Sequence, residues 1–61
     1  MYAVQVKNGV YLTDRLTETT DLQNCMVIED YNIARLYLVG KYERVVSIEL
    51  KENKIVIKER L

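Results

Sequence analysis

The stretch that decides the fold is DYNIARLYLVG, residues 30–40. Its apolar residues recur at helical spacing, which predicts a helix from Tyr31 to Val39. On a helical wheel the polar members Asn32 and Arg35 occupy a narrow wedge, and apolar side chains cover an arc of roughly 220°. A helix lying on one sheet buries a stripe of little more than ~100°. The remaining apolar surface predicts contact with a partner.

Two residues are expected to delimit this helix. Asp30 is predicted to cap the amino end by accepting hydrogen bonds from the free amides of the first turn, where its charge suits the positive end of the helix dipole. Gly40 is predicted to adopt the left-handed conformation that closes the carboxyl end.

The sequence before the helix predicts a β-hairpin. Tyr2–Lys7 alternates apolar and polar residues with a period of two, as a half-buried strand does. Asn8-Gly9 matches the two positive φ values of a type I′ turn, and Val10–Thr13 resumes the alternation.

The segment between this hairpin and the helix is less regular. Residues 14–24 are polar and rich in threonine, which predicts a loop that is either a plain connector or a segment that contacts something. Cys25–Ile28 is a short apolar run that predicts a buried strand, although Leu22, Cys25 and Met26 would also fit a helical stripe.

The sequence after the helix repeats the hairpin pattern. Val45–Leu50 alternates, residues 51–54 turn the chain, and Ile55–Ile57 returns it. The whole chain, residues 1–61, is therefore expected to form a single α+β domain. Its two β-hairpins and a short strand make an antiparallel sheet with one helix packed on one face, in the order ββ(β)αββ.

A chain of 61 residues is expected to need support beyond its own core, because single cores in domains below ~70 to 80 residues supply only ~3 to 5 kcal/mol. Cys25 is the only cysteine and there is no histidine, which excludes an intrachain disulfide and a Cys/His zinc site. We therefore expect a homodimer. A lone thiol, together with the lack of a signal-like or membrane-spanning apolar run, predicts a cytoplasmic protein.

The composition gives little support to catalysis or to cofactor binding. Without histidine no side chain is poised to act as a base near neutral pH, and Asn8-Gly9 is a turn and not a phosphate cradle. Cys25 lies among apolar neighbours and is expected to be a buried, inert hydrophobe. Glu29 and Asp30 are expected to act at the helix start and not as metal ligands. The sequence predicts no enzyme, no cofactor and no metal site.

The charges are balanced, with nine basic and nine acidic side chains, so no net field attracts nucleic acid. Basic residues nevertheless concentrate in the second half of the chain. The alternative prediction is therefore a small regulator that binds nucleic acid through Lys41, Arg44, Lys54 and Lys58.

The main prediction is contact with another protein, since tyrosine and arginine are enriched at interface centres. The candidate interface comprises aromatic and arginine residues together with the surplus apolar residues of the helix. These residues are Tyr11, Tyr31, Arg35, Leu36, Leu38, Val39 and Tyr42.

Three stretches carry a likeness to a known group of proteins. They are YAVQVKNGVYL (residues 2–12), NCMVI (24–28) leading into a helix with Ala34, and VVSIEL (45–50). Their order resembles that of small uncharacterised proteins encoded by phages and prophages of Gram-positive bacteria. Such relatives carry a Lys/Glu-rich helix where this chain has Ile33, Leu36, Leu38 and Val39, which again indicates a covered surface. The resemblance implies a non-enzymatic accessory protein that binds and modulates a host or phage protein.

Overall fold

Five antiparallel strands form one sheet in the computed structural model, which describes residues 1–60. The sheet order is β3-β2-β1-β4-β5. The elements are β1 (Tyr2–Lys7), β2 (Val10–Leu12), β3 (Glu18–Thr19), a 3-10 helix (Leu22–Asn24), α1 (Tyr31–Arg35), β4 (Arg44–Lys51) and β5 (Lys54–Arg60). The predicted α+β class with an antiparallel sheet is confirmed.

The first hairpin pairs as predicted, but its turn differs. Gly9 has a positive φ of 77°, whereas Asn8 does not have a positive φ. A type I′ turn needs both, so that prediction is wrong. The register shifts between Gln5 and Lys7, and such a bulge takes up the mismatch between the turn and the strands.

The second hairpin contains the turn expected at the first. Glu52 and Asn53 have φ values of 53° and 64° between the paired residues Lys51 and Lys54. Two successive positive φ values in a two-residue loop define the type I′ geometry, which matches the right-handed twist of the strands. Asn53 tolerates this conformation well, whereas a glutamate there is uncommon.

Residues 14–24 are more regular than predicted. They contain β3, which pairs with β2, and the 3-10 helix. Asp21 caps that helix by accepting a hydrogen bond of 2.9 Å from the backbone N–H of Gln23. The side-chain amide of Gln23 donates to the Ile55 carbonyl oxygen at 2.9 Å and accepts from the Ile55 N–H at 2.8 Å. Gln23 thus fills part of the open edge of β5.

Cys25–Ile28 is not a strand, so the short strand of the sheet was predicted in the wrong segment. Cys25 packs on one face of the sheet, while Met26 and Ile28 pack on the other. This is the alternation of an extended chain, but its backbone hydrogen bonds go to two different strands, from Met26 N–H to Leu12 O of β2 at 2.8 Å and between Ile28 and Tyr2 of β1, so no continuous ladder forms. The segment keeps an isolated bridge, in which Tyr2 N–H donates to Ile28 O at 2.7 Å and Ile28 N–H donates to Tyr2 O at 2.8 Å.

The helix begins as predicted and ends early. Asp30 accepts hydrogen bonds from the backbone N–H groups of Asn32 at 2.7 Å and Ile33 at 3.4 Å. After Arg35 the N–H groups of the next three residues bond three residues back, at 3.0 to 3.1 Å. This tighter turn replaces the second half of the predicted helix.

Gly40 does not close the helix, because its φ is not positive. Its N–H donates instead to the Glu43 carboxylate. A Cβ at position 40 would lie 2.7 Å from that carboxylate oxygen. The Glu43 side chain therefore approaches the Gly40 backbone closely, and a Cβ there would require the carboxylate to shift.

Both faces of the sheet carry a small core. The helix face is the side of Val4 and Val45 and is covered by α1, whose Ala34 is fully buried. The 3-10 face is the opposite side and is covered by the 3-10 helix and Cys25. Its buried residues are Ala3, Tyr11, Cys25, Val46 and Ile48, with Leu22, Ile55 and Ile57 packed beside them. The sheet is thus covered on two faces and not only on the one predicted.

Within residues 1–60, no helix is long and apolar enough to cross a membrane.

Candidate protein interaction groove

A groove of about 330 Å³ opens on the helix face of the sheet. We call it the Leu36 groove. Its floor is formed by Val4 and Val6 of β1 and Leu12 of β2. One wall carries Leu16 and Glu18, and the other carries Leu36, Tyr37, Val39 and Glu43. Seven of these nine lining residues are apolar or aromatic.

The groove exists because α1 is short. The helix packs on β1 and β4 and ends at Arg35, so the part of the face over β2 and β3 keeps no helical cover. The following turn sends Tyr37 and Leu38 toward the sheet, where both are half-buried. Leu36 and Val39, on either side of them in sequence, are 78% and 86% exposed.

The opposite wall holds an apolar residue in a strained conformation. Leu16 lies in the β2–β3 loop with φ of 62°, where glycine is favoured and another residue costs about 1–2 kcal/mol. The loop is closed by hydrogen bonds from Thr13 N–H to Thr17 O at 2.8 Å and from Leu16 N–H to Thr13 O at 3.0 Å. Leu16 is 61% exposed, so little burial offsets the strain. Strain of this kind concentrates at ligand-binding sites.

The two charged groups of the groove are both acidic. Glu18 lies on β3, and Glu43 precedes β4, so they stand on opposite walls. Glu43 is half-buried and held by the N–H of Gly40. Among residues 1–59, no Lys or Arg side chain pairs with either carboxylate within 4.0 Å. The groove is therefore an apolar trough with a negative charge at each side.

Leu36 and Val39 are the predicted interface residues that the structure places in the groove. Leu38 is half-buried in the helix-face core. Tyr42 is well exposed but does not line the groove. Tyr11 is only 7% exposed and belongs to the core of the 3-10 face. Tyr11 is therefore a core residue, and its prediction as a contact residue is corrected.

Tyr31 and Arg35 form a separate cluster on α1. The Tyr31 ring lies edge-on to Tyr2, with centroids 5.5 Å apart and planes at 62°. The guanidinium carbon of Arg35 lies 6.0 Å from the Tyr31 ring centroid, which is at the limit of a cation–π contact. These contacts secure the helix on the amino end of β1, away from the groove.

The basic residues of the alternative prediction are not gathered in one patch. Arg44 begins β4, whereas Lys54 pairs with Lys51 at the other end of that strand. Seven residues of strand separate the two ends by roughly 23 Å, and alternation puts Arg44 and Lys51 on opposite faces. Lys41 precedes β4, and Lys58 lies at the register shift of β5. These four residues therefore do not form one basic surface, and nucleic-acid binding through them stays a prediction.

Sequence reasoning predicted two of the nine lining residues, Leu36 and Val39, as interface residues and missed the other seven, among them Leu16, Glu18 and Glu43. Leu16 offered a signal, because it is the one apolar residue between Leu12 and Leu22. Glu18 and Glu43 offered none, since only the folded chain brings them to one groove.

Burial raises the pKa of the Cys25 thiol above its ordinary value, and a thiol that stays protonated is a poor nucleophile and metal ligand. Cys25 lies on the 3-10 face, away from the Leu36 groove. The part of the chain that the structure describes holds no group of three or more Cys, Asp or Glu side chains arranged to bind a metal ion.

Comparison of the chain with protein-family models, with curated proteins and with solved structures gives no match. The comparisons therefore assign no function to the Leu36 groove, and its lining residues are interpreted from their own geometry.

Proposed function

We propose that this chain is a small non-enzymatic module that binds another protein through the Leu36 groove. One observation carries the proposal: the exposed side chains of Leu16, Leu36 and Val39 border an apolar floor on one face of the sheet. Contiguous exposed apolar surface is uncommon on monomeric proteins and usually marks a binding site. An apolar centre with a charged border is also the ordinary composition of a protein interface.

The charges of the groove support binding over catalysis. Glu18 lies on β3 and Glu43 lies beside β4, which are three strand spacings apart in the sheet order. At about 4.8 Å per spacing, and with Glu43 two residues before its position opposite Val4, the two backbones lie roughly 16 Å apart. Carboxyl groups that cooperate on one bond in glycoside hydrolysis lie within about 10 Å of each other. No histidine, serine or cysteine lines the groove to supply a nucleophile or base.

The proposal includes a cytoplasmic location, for which the single buried thiol of Cys25 is the support. The alternative is self-association, which the chain length favours. A second copy of the chain would then occupy the same surface. A homodimer through Leu36 and Val39 would bury both side chains between two copies. Sedimentation of the purified chain over a range of concentrations separates a homodimer from a monomer that awaits another protein.

The experiment compares two exposed leucines. Leu36→Asp removes an apolar wall of the groove, and Leu50→Asp changes a leucine that is 63% exposed but does not line it. Both tagged variants and the unmodified chain are used to capture proteins from a host lysate, after circular dichroism confirms that each is folded. We expect one partner to be retained by the unmodified chain and Leu50→Asp and lost by Leu36→Asp.

Equal capture by all three proteins would contradict the proposal, and so would equal loss by both variants. Val39→Asp provides a second disruption of the same wall, and it should behave as Leu36→Asp does.

A further inference from the structure

The charges and register of the Leu36 groove specify the kind of segment it accepts. We propose that it binds an extended peptide segment of another protein with a basic residue at position i, an apolar residue at i+2 and a second basic residue at i+4. This inference rests on the proposed function and adds the chemistry of the partner.

The lining residues stand in order across the sheet. Leu12 of β2 pairs directly with Glu18 of β3, and Val4 of β1 pairs directly with Val45 of β4. Glu43 lies two residues before Val45, and alternation along an extended chain directs both side chains to the helix face. A diagonal across the strands, displaced by two residues on the β4 side, therefore runs from a carboxylate, over apolar side chains, to a second carboxylate.

The spacing of this line fits an extended segment. The backbones of Glu18 and Glu43 lie roughly 16 Å apart, from three strand spacings of about 4.8 Å and an offset of two residues, about 7 Å, along β4. An extended chain rises about 3.3 Å per residue, so its residues i and i+4 are about 13 Å apart and point to the same side as i+2. The long side chains of Lys or Arg at the two ends cover the difference. The residue at i+2 then faces the floor of Val4, Val6 and Leu12. An α-helix is 10–12 Å wide and rises about 1.5 Å per residue, which suits a broader trough than one of 330 Å³.

Charge complementarity selects the end residues. Glu18 and Glu43 have no basic partner within residues 1–59, and a Lys or Arg at each end would form charge-assisted hydrogen bonds with them. The N–H of Gly40 holds the Glu43 carboxylate in place, so less side-chain freedom is lost when a cation binds there.

The same charges disfavour a second copy of the chain in this groove. In a two-fold dimer the contact patch faces itself, and the two copies would bring four carboxylates together at a cost in electrostatic repulsion. The chain contains one segment with the proposed pattern, at Lys54, Val56 and Lys58. Its backbone is paired with β4 and its register is broken beside Lys58, so it does not present a free extended strand.

The test uses a capped synthetic peptide, Ala-Lys-Ala-Leu-Ala-Lys-Ala, titrated to millimolar concentration into the ¹⁵N-labelled full chain. Matched control peptides replace both lysines by glutamate or place the two lysines side by side. We expect amide shifts to change at residues 16–18 and 36–43 with the first peptide and to change much less with the controls.

Two protein variants test the charges. Glu18→Gln and Glu43→Gln keep the size of each side chain, and Gln at position 43 still accepts a hydrogen bond from Gly40. Each should weaken the peptide about 1.5- to 5-fold, as expected for a single solvent-accessible ion pair, and added salt should reduce this difference.

The proposal is overturned if millimolar peptide leaves these amides unchanged, if the glutamate peptide binds equally, or if neither Gln variant alters the affinity. A dimer that Leu36→Asp dissociates would also overturn it, because a second copy would then occupy the groove. If Leu36→Asp abolishes partner capture while both Gln variants retain it, protein binding stands and only the basic pattern fails. If Leu36→Asp has no effect on capture, the proposed function itself fails.

Discussion

The two faces of the sheet are covered to different extents. On the 3-10 face, Leu22 and Cys25 pack over Ala3, Val46 and Ile48, and no part of the Leu36 groove lies on that face. On the helix face, α1 is five residues long and packs mainly on β1 and β4. The short 3-10 helix covers its face because it is bonded to the edge strand β5. The short helix α1 has no such attachment at the β2–β3 side of the sheet, and a groove remains there.

The anchor on the 3-10 face is Gln23. Its amide makes two hydrogen bonds to the backbone of Ile55 and so holds the cover on β5, while Leu22 packs against the core. On the helix face, the chain after α1 is held by Leu38 and by the contact between Gly40 and Glu43. Neither reaches β2, and the face stays open there. The following predictions test this contrast.

The largest expected effect is a difference in the free energy of unfolding between two truncations, one on each face of the sheet. Ile48→Ala removes one of the largest fully buried side chains and should lower the free energy of unfolding by about 2–5 kcal/mol. Leu36→Ala truncates an exposed side chain and should change it by less than about 0.5 kcal/mol. Urea unfolding of both variants measures the difference. Similar losses for the two variants would mean that the helix face is closed in solution.

A smaller effect is expected for the anchor on the 3-10 face. Gln23→Ala removes both hydrogen bonds to Ile55 and should cost about 1–2 kcal/mol of stability. It also uncovers part of the β5 edge, which favours pairing between chains. Gln23→Glu is the matched variant, because it can still accept from the Ile55 N–H but cannot donate to the carbonyl oxygen at neutral pH. In thermal unfolding, the unmodified chain should be the most stable, Gln23→Glu intermediate and Gln23→Ala the least stable. Light scattering should show the most association between chains for Gln23→Ala.

The smallest effect on stability is expected at Leu16. Leu16→Gly relieves the positive φ of 62° but adds freedom to the unfolded chain, so stability should be unchanged or higher by up to about 1 kcal/mol. Binding of the partner should weaken, because an exposed wall of the groove is lost. The combination of retained stability and weaker capture separates a binding residue from a structural one. A clear loss of stability would mean that Leu16 supports the fold.

The strands were largely predictable from the sequence, because alternation is local. Tyr2–Lys7 and the pairing of residues 45–50 with 55–57 follow from a period of two and from turn residues. The turn types were less predictable. Asn8-Gly9 favoured a type I′ turn, but the first hairpin has a register shift and no positive φ at Asn8. Type I′ geometry occurs at Glu52-Asn53. Strand register depends on pairing across the whole sheet, so it cannot be predicted from the two residues of a turn.

Elements that depend on long-range packing were missed. Cys25–Ile28 has strand-forming residues, but its backbone bonds to Leu12 of β2 and to Tyr2 of β1, which leaves an isolated bridge and no strand. The alternation of Tyr2–Lys7 puts Gln5 on the polar, solvent-facing side of β1. Gln5 is nevertheless only 6% exposed, because the second face of the sheet is covered as well. The position of Asp30 was predictable because capping is a local interaction, whereas the end of α1 is determined by how Tyr37 and Leu38 pack on the sheet.

The candidate site divides in the same way. The helical wheel predicted surplus apolar surface that includes Leu36 and Val39, and these two line the groove. The other wall, with Leu16 and Glu18, comes from the polar segment 14–24, for which the sequence left open a plain connector or a segment that contacts something. Tyr11 was selected by residue type alone, and its strand position buries it.

The open helix face is the central claim, and solvent access to individual methyl groups tests it most directly. Methyl NMR relaxation in the presence of a soluble gadolinium chelate would be recorded on the dilute, monomeric chain. The account predicts that Leu36 and Val39 relax about as fast as Leu50 and far faster than Ile48. Leu36 and Val39 methyl groups as protected as those of Ile48 would contradict it.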